Sequence, residues 1–584
     1  MSKRNQPELP EEADVVVVGS GAAALAAAAA LSIKGLDVII LEKADCFGGT
    51  TAFSGAAMYL PLTKKAAAAG VHDSREDVLR YLDNVVGTAA PADLRVAFVD
   101  HADEALRFFE DNTHLRYTLR GLAPDYHPEK DGAVEASRVL DVCEFDGRRL
   151  GLHFKELRAP LATHLVFGGM MVNRQDVQTL LQFGRNAAAT WRGTKLIARY
   201  ARDRLRWPRG TRLVVGSALV ARLAATVLER GVSLFLNSPV TGLVRDPASG
   251  RVDGVVVTQP DGSHRRIVAR QAVVMATGGF ARNEAMSAAE RRSGSSPHQS
   301  MLPATNRGDG IAVARSIGGA FGPEAAGSFF WTPVSLRHDR DGDITPFAHL
   351  TLDRAKPGII AIDREGKRFT NEADSYHRFG QALQSLKPLL QNGPLAWLIC
   401  DALALRRYGL GLARPFPAHR ANRALIASGY LFQAPTLEAL AERLGISPSA
   451  LADTVARCNR FAATGRDEDF GKGSSRHNTA LGDPGVAPNP CLAPLSAGPF
   501  YAVALYSGDL GTARGLCSDT SARVLDDAGQ PIAGLYAVGN DMQSIMGGTY
   551  PGPGITLGPA LVFAYLAASD IAERAAAANA RQQG

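Results

Sequence analysis

At 584 residues the chain is too long for a single hydrophobic core, and 46% apolar with 21% charged residues is the composition of a folded globular protein, not a disordered one. The six cysteines (Cys46, Cys143, Cys400, Cys458, Cys491 and Cys517) show neither CxxC nor metal-ligand spacing, which argues against a disulfide framework or a metal site and favours a reducing compartment. The net charge of +6 is local, because residues 185–212 hold nine basic side chains and one acid, Asp203, leaving the rest slightly acidic.

The chain begins MSKRNQPELPEEADVVVVGSG, where an acidic pair precedes the apolar run, and the layout of a cleavable leader is missing. Residues Val15 to Ile33 are all small or apolar and could pass for a membrane span. Glycines interrupt them where a dinucleotide fold requires it. A strand over Asp14–Val18, a turn through Gly19 and Gly21 with Ala24 in the third glycine position, an alanine-rich helix and a second strand ending at Glu42 predict a buried βαβ unit. The glycines let backbone N–H groups approach a pyrophosphate at the helix N-terminus, and Glu42 can accept from a ribose hydroxyl.

Next comes a small-residue loop, FGGTTAFSGAAMYLP, and then residues 71–183 alternate helical stretches with polar loops, APDYHPEKDG among them. From Thr211 strands return as an added hairpin, followed by a strand over Ala272–Ala276 that enters Gly278 and Gly279; NRGDGIAVARSIGGAF then reads as a helix. Residues 323–489 are richer in loops, prolines and aromatics and predict a second, capping domain inserted into the first. The first domain is then residues 1–322, with the basic insertion at about 184–212, resuming at 490–584. Within the insert, TLEALAERLGISPSALADTVARCNR imitates a helix-turn-helix, but its second helix offers only Arg457 and Arg460 beside Leu451, Val455 and Cys458, so no nucleic-acid partner is expected. The fold class expected is α/β: a Rossmann-like domain split in sequence, with an α+β capping domain.

GGTTAFSG (48–55), MATGGF (275–280) and LYAVGND (535–541) each end an apolar strand in small residues. One nicotinamide site would use the first fingerprint only, whereas an extended FAD needs several such backbone-exposing turns. With DYHPE, GKRFTNEADSY and YPGPGITLGPALVFAYLA, these motifs resemble the fumarate reductase/succinate dehydrogenase flavoprotein superfamily over nearly the whole chain, and within it the 3-ketosteroid Δ1-dehydrogenases. The resemblance implies FAD contacts from Gly19, Ser20, Gly21, Ala22, Ala23, Glu42, Lys43, Gly48, Gly49, Thr50, Thr51, Ser54, Gly55, Val240, Thr277, Gly278, Gly539, Asn540 and Leu557. Covalent attachment in part of that superfamily uses a histidine after the first βαβ unit; none lies between residues 1 and 71, so non-covalent FAD is expected.

The activity so implied is 1,2-desaturation of a 3-ketosteroid, with a quinone-type or other electron acceptor. The proton beside the carbonyl is lost only if enolate charge is stabilised, and Tyr550 O–H with the Gly554 N–H, free at a helix N-terminus, would form the oxyanion hole. The matching base is Tyr376, whose hydride partner is flavin N5. Its phenolate must be favoured locally, which the resemblance assigns to Tyr126, with Tyr117 or His127 as substitutes. A fumarate-type reductase would need cationic clamps, but residues between Gly547 and Ser569 carry no charge. A 3-ketosteroid Δ4-(5α)-dehydrogenase would carry a turn similar to Tyr-x-Ser-Gly in place of Tyr-Pro-Gly-Pro-Gly. A non-catalytic membrane-associated module would explain the basic segment but not the flavin motifs. That segment, read as a helix limited to roughly four turns by Gly193 and Pro208, puts Leu196, Tyr200 and Trp207 near one face and Lys195, Arg199, Arg202 and Arg206 on another. It suggests a cytoplasmic enzyme held peripherally at the membrane.

Overall fold

The computed structural model describes residues 8–162, 165–184, 186–259, 261–290, 298–338, 344–387 and 393–583; Arg185 of the basic segment and residues 1–7 lie outside them. The βαβ unit forms as expected: strand Glu12–Val18, helix Ala22–Ile33 and strand Val38–Leu41, with Val16 paired in parallel to Ile39 on one side and Val273 on the other. Both faces of the Val-rich strand are covered, so its residues are apolar without alternation. The alanines of Ala22–Ile33 are almost wholly buried, because small side chains let the long C-terminal helix Leu557–Gln583 lie close against it.

The first sheet runs in the order Ser233–Phe235, Val38–Leu41, Glu12–Val18, His264–Met275, Val252–Thr258, Val240–Arg245, and Pro531–Ala537 joins His264–Met275 in parallel. The return strand is longer than its sequence signal. Its first half pairs antiparallel with Val252–Thr258 and its second half parallel with Glu12–Val18, so one strand serves both the hairpin and the dinucleotide fold.

A second sheet runs Ile344–Ala348, Phe329–His338, Phe500–Thr512, Ala396–Cys400, Ile359–Asp363. Phe500–Thr512 is its middle strand, pairing with Phe329–His338 on one side and Ala396–Cys400 on the other. The second domain therefore does not end at residue 489: this strand finds partners for its backbone groups only in the second sheet. The helix-turn-helix look-alike, Leu437–Leu444 and Pro448–Thr464, buries Leu440, Leu444, Leu451, Val455 and Cys458 in one core with Ile360 and Trp397.

The basic segment forms one helix, Ala187–Arg204, capped by the Asn186 side chain and passing straight through Gly193, over which Phe183 lies. Its expected aromatic face is turned inward. Trp207 stands edge-on to Phe154 at 5.4 Å, and Tyr200 donates to the Phe167 carbonyl at 3.0 Å. Asp203 is internal too, accepting from Thr211 N (2.9 Å) and Oγ1 (2.8 Å). No described helix is long and apolar enough to cross a membrane.

Candidate active site

The dinucleotide loops converge at the C-terminal ends of the first sheet's parallel strands. Gly19 has φ +110°, and a Cβ there would stand 2.3 Å from the Ala276 carbonyl oxygen, so only glycine lets this turn sit against the MATGGF turn. Glu42 is buried, with its carboxylate accepting from Ser20 Oγ and, at 2.8 Å, from Ala44 N; Ser20 Oγ in turn accepts from Gly48 N at 3.2 Å. Thr51 Oγ1 accepts from Ala22 N at 3.0 Å, tying the 48–55 loop to the first helix turn, while Ser54 O accepts from Gly216 N at 3.0 Å. Lys43 pairs with Asp309. Thr50 lies in the short 3₁₀ turn Thr50–Phe53, and Gly49 and Gly55 flank it on either side. Ala23 packs beside Gly539, and Asn540 beside Gly279 and Gly511. Val240 starts its strand two residues after Ser238, whose amide donates to the Glu42 carbonyl (2.9 Å), and Leu557 opens the final helix.

Asp541, which the sequence reading passed over, ties two of these loops together. Wholly buried, it accepts from Thr277 N (2.5 Å), Thr277 Oγ1 and Gly279 N (2.9 Å), drawing 277–279 onto 539–541. An acid at the end of LYAVGND was the available signal.

Between the 539–540 loop and the final helix lies a cleft lined by Phe330, Thr512, Gln543, Ser544, Ile555 and Phe563 among others. Thr512 Oγ1 is buried there without a hydrogen-bond partner among the described residues. Backbone-exposing turns and the orphaned Thr512 hydroxyl against the Gly279 turn fit an extended FAD, which would be held by the loops at 19–23, 48–55, 277–279 and 539–540.

Beside the cleft, three tyrosines form a cluster. Tyr376 opens the helix Tyr376–Gln384, capped by Ser375, and its ring lies 5.2 Å from Tyr550 and 5.6 Å from Tyr126. Tyr126 stacks on Tyr550 at 5.7 Å, and the Tyr376 ring stands edge-on to both. All three are at most 7% exposed. Phe330 and His377 close over Tyr550, and His477 stands edge-on to Tyr126 at 4.9 Å. Tyr117 is buried elsewhere, on the strand Tyr117–Leu119, and takes no part.

The turn is held from outside. Pro551 O accepts from Tyr126 N (2.8 Å) and Tyr81 Oη (2.6 Å), and Gly554 O accepts from Tyr59 N (3.2 Å) and Gly558 N (2.9 Å). The Gly554 N–H has no partner among the described residues, as an oxyanion donor requires. Arg354, buried behind the cluster, donates to the carbonyls of His349, Leu350, Glu372 and Asp374, fixing the segment that leads into Tyr376.

The electrostatics depart from one expectation. Burial pushes the Tyr376 phenol well above the ordinary tyrosine range, and the neighbouring Tyr126 and Tyr550 hydroxyls, as charges first, push it further. Tyr126 is raised by burial too, but its hydrogen bond to Tyr376 and the cations Arg120 and Arg354 act in the opposite direction. Positive charge is therefore arranged around Tyr126, whose ring lies 5.6 Å from that of Tyr376.

The sequence matches the FAD binding domain family over residues 14–557. It is 36% identical to a 4-oxocyclohex-2-ene-1-carboxylate 5-dehydrogenase of Sinomonas cyclohexanicum (98% of this chain, 95% of that one) and 36% identical to a 3-oxosteroid 1-dehydrogenase of Mycolicibacterium smegmatis (97% and 99%). Among solved structures it superposes with a TM-score of 0.89 on the 3-ketosteroid delta1-dehydrogenase of Sterolibacterium denitrificans in complex with 1,4-androstadiene-3,17-dione, at 33% identity, covering 97% of this chain and 100% of that one.

Proposed function

This chain belongs to the FAD binding domain flavoproteins, in the family that includes the 3-oxosteroid 1-dehydrogenases, and on that premise we propose that it introduces a double bond between C1 and C2 of a 3-ketosteroid. The observation that carries this reading is the cluster of Tyr126, Tyr376 and Tyr550, with a Gly554 amide four residues on from Tyr550 that has no partner among the described residues. Tyr550 O–H and Gly554 N–H hold the ketone oxygen and the enolate charge that develops on it. Tyr376 takes the C2 proton, with Tyr126 positioning its hydroxyl. When bound, FAD supplies the hydride acceptor for C1. Phe330 and the neutral imidazoles of His377 and His477, which burial holds near pKa about 3 and about 4, set uncharged rings against Tyr550 and Tyr126.

A second reading is a 4-oxocyclohexanecarboxylate-type ring ketone, supported by an identity as high as that to the steroid enzymes. The same tyrosines would serve it, but its carboxylate would need a cation facing the site. Anaerobic bleaching of the flavin by a panel of 3-ketosteroids, 4-oxocyclohexanecarboxylate and succinate tests both. Bleaching by 3-ketosteroids is expected; bleaching by the carboxylate alone favours the second reading, and by succinate alone neither.

The proposal includes a cytoplasmic enzyme, supported by six unpaired cysteines, that docks peripherally on an anionic leaflet and hands its electrons to a quinone-type acceptor. What supports docking is the outer face of Ala187–Arg204 and its flanks, where Trp191 (63% exposed) and Leu205 (83%) alternate with Lys195, Arg202 and Arg206, and Phe167 is exposed on the adjoining hairpin. Each such cation near an anionic surface contributes about 1 kcal/mol. Co-sedimentation with anionic liposomes should weaken in salt, in Lys195→Glu/Arg202→Glu/Arg206→Glu and in Trp191→Ala/Leu205→Ser; partitioning equal to wild type would overturn it.

A further inference from the structure

Each desaturation deposits one proton on a cluster of tyrosines that is sealed from solvent, so the proton needs an outlet. His377 and His477 stand against the cluster and His127 follows Tyr126 in the chain, and each of the three imidazoles has its Nε2 buried without a hydrogen-bond partner among the described residues. What their Nδ1 atoms do distinguishes them.

His377 Nδ1 accepts the Trp331 N–H at 3.1 Å, so its proton sits on Nε2 and the ring has no lone pair left for another. The His477 ring stands edge-on to Tyr126 at 4.9 Å, and its unpartnered Nε2 is the acceptor available there. His127 reaches the outside: its Nδ1 faces Glu129 Oε1 at 3.6 Å, and the Glu129 side chain is 48% exposed. Its Nε2 is buried, with no hydrogen-bond partner among the described residues. Its backbone is held by a 3.3 Å hydrogen bond from its amide to Tyr81 Oη, and both other imidazoles lie within its electrostatic reach.

We propose that His127 and Glu129 form the proton outlet of the active site. The proton passes from Tyr376 to Tyr126 and, by way of the His477 acceptor or a water beside it, to His127 Nε2. As the Nε2–H bond forms, the Nδ1–H bond breaks and that proton moves to the Glu129 carboxylate, which releases it to solvent. No electrons move in this step. The other charged groups around the dyad are Arg378, 3.4 Å from Glu129 and paired also with Asp374, and Lys130. Burial depresses the His127 pKa below the usual imidazole value, so the ring is neutral and able to accept.

The inference rests on the desaturation proposed above, and the holoenzyme separates the two. In stopped flow under weak buffer, 4-androstene-3,17-dione should bleach the wild-type flavin while a pH indicator reports proton release at the same rate. In His127→Ala the first bleaching should persist while proton release lags and steady-state turnover falls about 10²-fold, the usual scale for losing a proton-transfer group. Added imidazole should restore it. Glu129→Gln, which alters a half-exposed side chain, should show the same lag and decides the matter if His127→Ala does not retain flavin. Proton release that stays synchronous with bleaching in these variants, indifferent to imidazole, overturns the outlet; absence of bleaching by any ketone in wild type overturns instead the desaturation.

Discussion

The Tyr126 amide donates to the Pro551 carbonyl at 2.8 Å, which locks the DYHPE loop to the YPGPG turn across more than four hundred residues of sequence. That one bond sets Tyr126 and Tyr550 face to face at 5.7 Å. The cluster is thus built by backbone as much as by side chains, and removing single hydroxyls should change chemistry with little change in fold.

Tyr550→Phe should lower turnover of a 3-ketosteroid by about 10²–10³, the usual effect of losing one oxyanion donor. The flavin spectrum should be unchanged because the ring and its stacking remain. Turnover near wild type would mean that the phenol only shapes the turn.

Tyr376→Phe should affect turnover far more than binding, since it removes the proton acceptor. The base acts deprotonated, and burial raises this phenol above its ordinary value. The rate should therefore climb with pH and still be climbing beyond about pH 10, the ordinary phenol value. A profile that is flat from neutrality upward, or a mutant with the same profile, would point to another base.

Arg138→Met should destabilise the holoenzyme by about 3–5 kcal/mol, the range for breaking a buried ion pair. The Arg138 side chain is 1% exposed and bridges Asp73 (2.7 Å) and Asp125 (2.8 Å), the residue before Tyr126. Its loss leaves two buried carboxylates uncompensated. Urea unfolding followed by tryptophan emission measures the change; a midpoint equal to wild type contradicts it.

Acid or heat precipitation of the yellow protein should leave all FAD in the supernatant, because no histidine precedes His72 to form a bond to the flavin. Flavin retained on the washed precipitate would show a covalent link.

Much of the site was legible in the chain because it is made of local motifs. The Gly19 turn, the strand ends at 277 and 539, and Tyr376 and Tyr550 each sit in a short stretch whose residue types have few other uses. Asp541, Arg354 and His477 were not legible, since each acts on groups far away in sequence. The basic helix shows the limit: its period marks two faces, but Trp207 and Tyr200 are claimed by Phe154 and the Phe167 carbonyl, which left Trp191 and Leu205 outside.

The residue pattern by itself determined the dinucleotide unit and the rigid tyrosine turn, because backbone conformation and helix–strand periodicity are settled within a few residues of each position. Only the tertiary structure decided which domain owns Phe500–Thr512, and only it set the charges of Arg120 and Arg354 to act on Tyr126 and His127 to face Glu129. Strand pairing, burial and electrostatic fields depend on distances in space, which a sequence specifies only through the complete fold.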